Sequence, residues 1–224
     1  MSKQVNEMKR VIVFIILMMA FPLGLIAQVT VTGSTGADNT YSTLGAAFTA
    51  INGTAQTGNN IVITITASTT ESSTATLNAG AWTSINIYPT GSGYSISGSI
   101  AGPLINLNGA DNVTIDGRVN ATGTTKDLTI ANTSTSSSSG TSTIRFIEDA
   151  TYNIVKYCIL KGSSTSASTG GILYFATAAS GTTGNDNNIV ENNDITNAGG
   201  NRPVNAIFSL GTLFPPGKVN DNNT

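Results

Sequence analysis

The sequence predicts an all-β protein: a right-handed parallel β-helix of three-strand coils with a short capping helix at its N-terminal end. Three observations lead there. Ser, Thr, Asn and Gly make up roughly half of the 224 residues, a composition that favours strands and turns over helices. Short apolar or alternating runs recur between Gly, Pro, Asn and Ser, the pattern of strands joined by tight turns. The runs also repeat with a 35-residue period, and a fixed period of that size marks a repeat architecture.

The first 27 residues read as an address. Lys9 and Arg10 precede the apolar run Val11 to Ala20, which meets Pro22 and ends Leu25-Ile26-Ala27-Gln28, as in a secretory signal peptide cleaved after Ala27. The alternative is an uncleaved anchor, since Val11 to Ala27 approaches the roughly 20 apolar residues that span a bilayer. Cleavage leaves a chain from Gln28 with seven Lys and Arg against eleven Asp and Glu, a formal charge of -4. With no basic patch left, a nucleic-acid partner is not expected. A membrane is expected to matter only for export through the signal peptide. The expected location is secreted, into the medium or onto a bacterial outer surface.

Residues 28–60 are expected to hold an N-terminal strand and the capping helix. Tyr41 to Ile51 carries the one clear helical pattern, with Leu44, Ala47, Phe48 and Ile51 at i, i+3, i+4 and i+7 and Ser42 as N-cap. Strands are expected at Ile61 to Ile65, Ser84 to Tyr88 and Tyr94 to Ser97. These strands open the β-helix coils, which are expected to fill residues 61–224. Gly171 to Phe175 followed by Asn185-Asp186-Asn187-Asn188-Ile189 matches, 35 positions on and without a gap, Ala206 to Leu210 followed by Asn220-Asp221-Asn222-Asn223-Thr224. Earlier copies are Thr143 to Ile147 with Asn153-Ile154-Val155, and Leu104 to Leu107 with Asn112-Val113-Thr114-Ile115. Asn112, Asn153, Asn188 and Asn223, spaced 41, 35 and 35, are expected to occupy one row of equivalent turns. Each unit divides into strand A (Ile172 to Phe175), strand B (Asn188 to Glu191) and strand C (Asp194 to Thr196), with Asn132 to Ser142 and Thr177 to Gly184 as projecting loops. A β-sandwich also has short strands, but it does not account for an in-register repeat. The last unit stops at Thr224, the mark expected of a piece of a longer protein.

Four stretches carry a resemblance: Tyr-Ser-Thr-Leu-Gly-Ala-Ala-Phe (Tyr41 to Phe48), Asp-Asn-Val-Thr-Ile-Asp-Gly (Asp111 to Gly117), Thr-Ser-Thr-Ile-Arg-Phe-Ile (Thr141 to Ile147) and Asn-Asn-Ile-Val-Glu-Asn-Asn-Asp-Ile (Asn187 to Ile195). On these the chain resembles the pectin-lyase-like right-handed β-helix superfamily, in particular the long secreted surface proteins of Gram-negative bacteria. The resemblance implies the fold, but the superfamily spans lyases, hydrolases, adhesins and stalks, so function must be argued from residues.

The residue inventory narrows the chemistry. There is no His, which excludes Ser-His-Asp and Cys-His nucleophiles and imidazole metal sites. One cysteine, Cys158, excludes an internal disulfide, and it is expected as a small buried apolar group. Asp111, Asp149, Asp186 and Asp221 fall in the turn between strands A and B. They are expected as turn formers that bond local backbone, with Asp186 and Asp221 as candidate calcium ligands. The Asn-Thr-Asp, paired-Asp and Gly-His-Gly signatures that the resemblance implies for hydrolases are absent. For lyases the resemblance implies a basic residue as base with Ca²⁺ on the substrate uronate; Arg145, Lys156 and Arg202 are expected instead as solvated corner charges. Trp82 and single tyrosines are expected to fill core or cap, and the repeated Asn residues to stack as a ladder.

The expectation is therefore a non-enzymatic exported β-helix, an adhesin-like stalk or surface-binding module for a polysaccharide or cell-surface glycan. The alternative is a polysaccharide lyase or glycoside hydrolase whose catalytic coils lie beyond residue 224.

Overall fold

Alternation decides which side of each strand is inside, because successive side chains point to opposite faces. In the computed structural model, which describes residues 27–177, 180–211 and 219–224, Ile61, Ile63 and Ile65 alternate with Val62 and Thr64 and are fully buried. The expected signal peptide lies outside the described residues, apart from Ala27. Among them, no helix is long and apolar enough to cross a membrane.

The fold is all-β with three sheets. In chain order the strands are β1 Val29–Thr32, β2 Asn39–Tyr41, β3 Asn60–Ile65, β4 Thr69–Glu71, β5 Ala75–Asn78, β6 Ser84–Pro89, β7 Tyr94–Gly98 and β8 Pro103–Asn108. They continue with β9 Val113–Asp116, β10 Leu128–Asn132, β11 Ser142–Ile147, β12 Ile154–Lys156, β13 Cys158–Gly162, β14 Gly171–Phe175, β15 Ile189–Glu191, β16 Asp194–Asn197 and β17 Ile207–Ser209. From β3 onward the chain visits the three sheets in strict rotation. The first sheet runs β15-β12-β9-β6-β3-β1-β2, the second β16-β13-β10-β7-β4 and the third β17-β14-β11-β8-β5. Every strand from β3 to β14 pairs in parallel with its counterpart one circuit later. Strand β1 pairs antiparallel with β3 and β2, so the first sheet is edged by a hairpin.

The rotation puts like on like. Ile63, Ile87, Ile115, Val155 and Val190 form one inward row of the first sheet. In the third sheet Ile105, Ile144 and Leu173 stack in a row, beside Leu107, Phe146 and Phe175. The Phe146 and Phe175 rings are parallel within 6° with centroids 4.6 Å apart. The row Ile61, Ile85, Val113 changes character at the fourth circuit, where Asn153 and then Asn188 replace apolar residues and are fully buried.

Two registers differ from expectation. Ile154 pairs with Thr114, so Asn153 stands over Val113, and Asn112 stands one place outside the row. Asn112 belongs instead with Tyr152, Asn187 and Asn222, all left-handed with φ between 53° and 57°. Adjacent Asn residues thus do different work: one turns the corner, the next points inward. The second difference is in strand A of the last unit, where Leu173 pairs with Ile207, an offset of 34 rather than 35. The Asn205 side chain keeps the 35-residue register by donating to Gly170 O at 3.0 Å; the shift follows it. Ile207 thereby joins the inward row and Phe208 stands outside against Tyr174.

Helix α1, Leu44–Asn52, buries Leu44, Ala47, Phe48 and Ile51, the face the periodicity predicts. It packs chiefly on β5, the first strand of the third sheet, and touches β1, β2 and β4. Its N-cap is Thr43 rather than Ser42, with Thr43 Oγ1 accepting from Ala46 N at 3.1 Å. A second cap comes from 27 residues away. Glu71, buried on β4, accepts from Leu44 N at 2.9 Å and Gly45 N at 3.0 Å, placing a carboxylate at the positive end of the helix.

The serine-rich stretch after β10 is not a freely projecting loop. Ser134, Thr141 and Ser142 are buried, and the stretch stacks on the Ser163 to Gly170 connection one circuit later through Thr165 N to Ser136 O and Gly140 N to Thr169 O. Backbone pairing between the loops satisfies groups that would otherwise be buried unpaired.

Candidate functional site

Strands β9, β12 and β15 are short, and their outward residues stack in register. Asp116, Lys156 and Glu191 form one such row, alternating in sign. Asp116 is buried and receives both arms of Arg118, Nε to Oδ1 at 2.8 Å and Nη2 to Oδ2 at 2.5 Å, while Lys156 Nζ stands 3.8 Å from Oδ2. Burial works to raise the Asp116 carboxyl, but the side-chain and backbone hydrogen bonds from Arg118, aided by the charges of Arg118 and Lys156, outweigh it and hold the group below the usual carboxylate range. The Arg118 guanidinium is pushed up chiefly by its hydrogen bond to Asp116 and lies 4.4 Å from the centre of the Tyr157 ring. Lys126 pairs with Asp194 at 2.5 Å on the neighbouring corner. The cations here serve as charge partners. Sequence reasoning passes over Arg118, although an acid and a base two residues apart across Gly117 signal a local pair; at Gly117 itself a Cβ would lie 2.0 Å from Tyr157 O.

The rim of this face is a corner in left-handed conformation. At one end stand Asn112, Tyr152, Asn187 and Asn222; at the other Tyr157 (φ 51°) and Asn192 (φ 54°). Tyr152 is 61% exposed, so the expectation that the single tyrosines fill core or cap does not hold for it. Trp82 does fit that expectation: it is buried, with Nε1 donating to Asp111 O at 2.7 Å. Its edge lines a neutral groove of about 310 Å³ beside the C-terminal end of α1.

The acids expected at the A-to-B turn divide. Asp111 accepts from Thr151 N at 2.7 Å, and Asp186 from Asp221 N at 2.6 Å. Each ties its own circuit to the next rather than bonding its own backbone. Asp149 lies in a different row and gathers the amides of Thr182, Thr183 and Gly184. Burial pushes its carboxyl up, but those hydrogen bonds prevail and lower it. The calcium candidates Asp186 and Asp221 are therefore neighbours with one Asp186 oxygen already committed to backbone, and no three Cys, Asp or Glu side chains converge among the described residues.

Arg145 departs from expectation. It is no corner charge but an outward residue of β11, partly buried, between Asn106 and Tyr174 in register, with Nε donating to Asn106 Oδ1 at 2.8 Å. Desolvation lowers its pKa. Lys156 is likewise a strand residue, whereas Arg202 is exposed as expected. Cys158 is fully buried, and desolvation, with the charge of Asp116, pushes its thiol up, out of reach as a thiolate nucleophile.

The repeated amides form two ladders. Asn153 donates Nδ2 to Asn188 Oδ1 at 3.0 Å, and Asn188 N donates to Asn223 Oδ1 at 2.9 Å. In parallel, Ala150 N donates to Asn185 Oδ1 at 3.1 Å and Asn185 Nδ2 to Asn220 Oδ1 at 2.9 Å. These residues are spent on structure. No protein-family model matches the chain, nor does any curated protein or solved structure.

Proposed function

We propose that the chain is an exported right-handed parallel β-helix that acts, without catalysis, as a surface-binding module or stalk for glycans on the outside of a Gram-negative bacterium. The rotation of the strands through three sheets supports the coil, and the right hand follows from the crossover rule for parallel strands. Export rests on the apolar leader. Gln28, the residue expected to lead the mature chain, is already tied to the sheets through Tyr41 O and Thr66 N.

The observation that carries the binding role is the outward face of β9, β12 and β15, a regular strip whose cations are matched by anions and whose rim exposes an aromatic ring. Proton abstraction from a sugar needs a base free to take the proton, and Lys156 and Arg118 are engaged with Asp116 instead. Extended stacked faces of this kind suit long polymers. Sedimentation with insoluble polysaccharides, scored together with the appearance of new reducing ends, tests the proposal. Retention without chain cleavage is expected; cleavage, or no retention on any polysaccharide, contradicts it.

A further inference from the structure

Three circuits turn the A-to-B corner with Asn in left-handed conformation, and the one between them does so with a tyrosine. Asn112, Asn187 and Asn222 have φ of 57°, 57° and 53°, and Tyr152 has φ 57°. Asn tolerates this region because its short side chain suits it, whereas a bulky ring adopts it only at a cost in strain. The ring is not repaid by burial, since Tyr152 is 61% exposed, and it makes no hydrogen bond or aromatic contact among the described residues. A strained, solvent-facing aromatic where its neighbours use the easier residue points toward function.

Its surroundings say what it suits. Asn112 and Asn187 lie one circuit to either side, about 4.8 Å away along the stack, and their side-chain amides likewise make no hydrogen bond among the described residues. A flat ring flanked by two free amides matches the apolar C–H face of a pyranose with hydroxyls at its edges. Asp111 and Asp186 sit one position before those amides on the same corner, and their negative charge disfavours an acidic sugar.

We propose that Tyr152, with Asn112 and Asn187, is a binding subsite for a neutral pyranose of a glycan chain. The assignment rests on the glycan-binding reading above and adds the residue and the sugar class. Calorimetric titration of the protein with hexamers of β-1,4-linked glucose, xylose, mannose and galactose, with oligogalacturonate for comparison, tests it on the wild type and on Tyr152→Asn, Tyr152→Ala and Tyr152→Phe. The wild type binds at least one neutral hexamer more tightly than oligogalacturonate. Tyr152→Phe retains that binding, and Tyr152→Ala and Tyr152→Asn weaken it at least tenfold. Tyr152→Asn also melts higher by about 2–4 °C, because the strain is relieved. Neutral binding that survives Tyr152→Asn and Tyr152→Ala overturns the subsite alone, and preference for oligogalacturonate overturns the sugar class. Absence of binding by the wild type to every oligosaccharide overturns the glycan-binding reading with it.

Discussion

At the residue scale, the buried Asn row carries a disproportionate share of specificity. Asn188 Oδ1 accepts from both the N and Nδ2 of Asn153, at 3.0 Å each, and Asn188 Nδ2 donates to Ala150 O at 3.0 Å. Truncating that side chain leaves Asn153 N and Ala150 O without a partner and Asn153 Nδ2 with Ala110 O alone, and each buried group left unpaired costs about 1–3 kcal/mol. Asn188→Ala is therefore expected to destabilise by about 3 kcal/mol or more in urea unfolding. Asn112→Ala, at an exposed corner, is expected to lose only about 1 kcal/mol, the cost of a left-handed non-Asn residue. Equal losses would show that the buried amides are not special. The Asp116 carboxyl supplies a pH-dependent term. Its folded pKa is held below the unfolded value of about 3.9, so its stabilisation is complete above that value and fades as pH falls through the lower folded one. Asp116→Asn is expected to unfold at lower urea than wild type at pH 7, with the gap closing as acid is added below about pH 4. A gap that stays constant down to acid pH would remove the ion pair from the account.

At the element scale, α1 and its two caps close the N-terminal end. The helix is only nine residues long, too short to persist alone in water, so it depends on the face that holds Phe48 and on Glu71. Phe48→Asp places an unpaired carboxylate among buried apolar groups and is expected to cost several kcal/mol. Glu71→Ala leaves Leu44 N and Gly45 N without acceptors and is expected to cost about 1–3 kcal/mol. Thermal melts of both variants check this, and an unchanged midpoint for Phe48→Asp would mean that α1 does not hold the end of the stack.

This helix also illustrates what was legible beforehand. Its apolar face follows from spacing alone, because a 3.6-residue period needs no partner to be recognised. The cap from Glu71 does not, since an acid among Thr and Ser carries no local sign of a helix 27 residues away. Strand β10 is harder to read, although Leu128 and Ile130 alternate with Thr129 and are buried; the eleven-residue connection before it hides the rhythm. Matching letters aligned Asn112 with Asn153, whereas backbone pairing sets Val113 there. An adjacent pair of Asn residues offers two registers, and a slip of one exchanges inside for outside. The same slip hid Tyr152: tyrosine is not a left-handed residue by habit, so only the row reveals it.

At the scale of the whole molecule, one circuit repeated five times explains the sheets, the ladders and the exposed strip together. Circuit length is free to vary, since the step from Ile105 to Ile144 is 39 residues and that from Ile144 to Leu173 is 29; the difference is absorbed in connections at little entropic cost. What must not vary is the register within the sheets, because each inward row is continuous through the stack. The crystal structure of residues 28–224 tests this most directly. The account predicts a right-handed coil in which Asn188 lies between Asn153 and Asn223, with neighbouring Cα atoms about 4.8 Å apart and the amides hydrogen-bonded in series. A sandwich, a left-handed coil, or a structure that sets these three residues on different corners would contradict it.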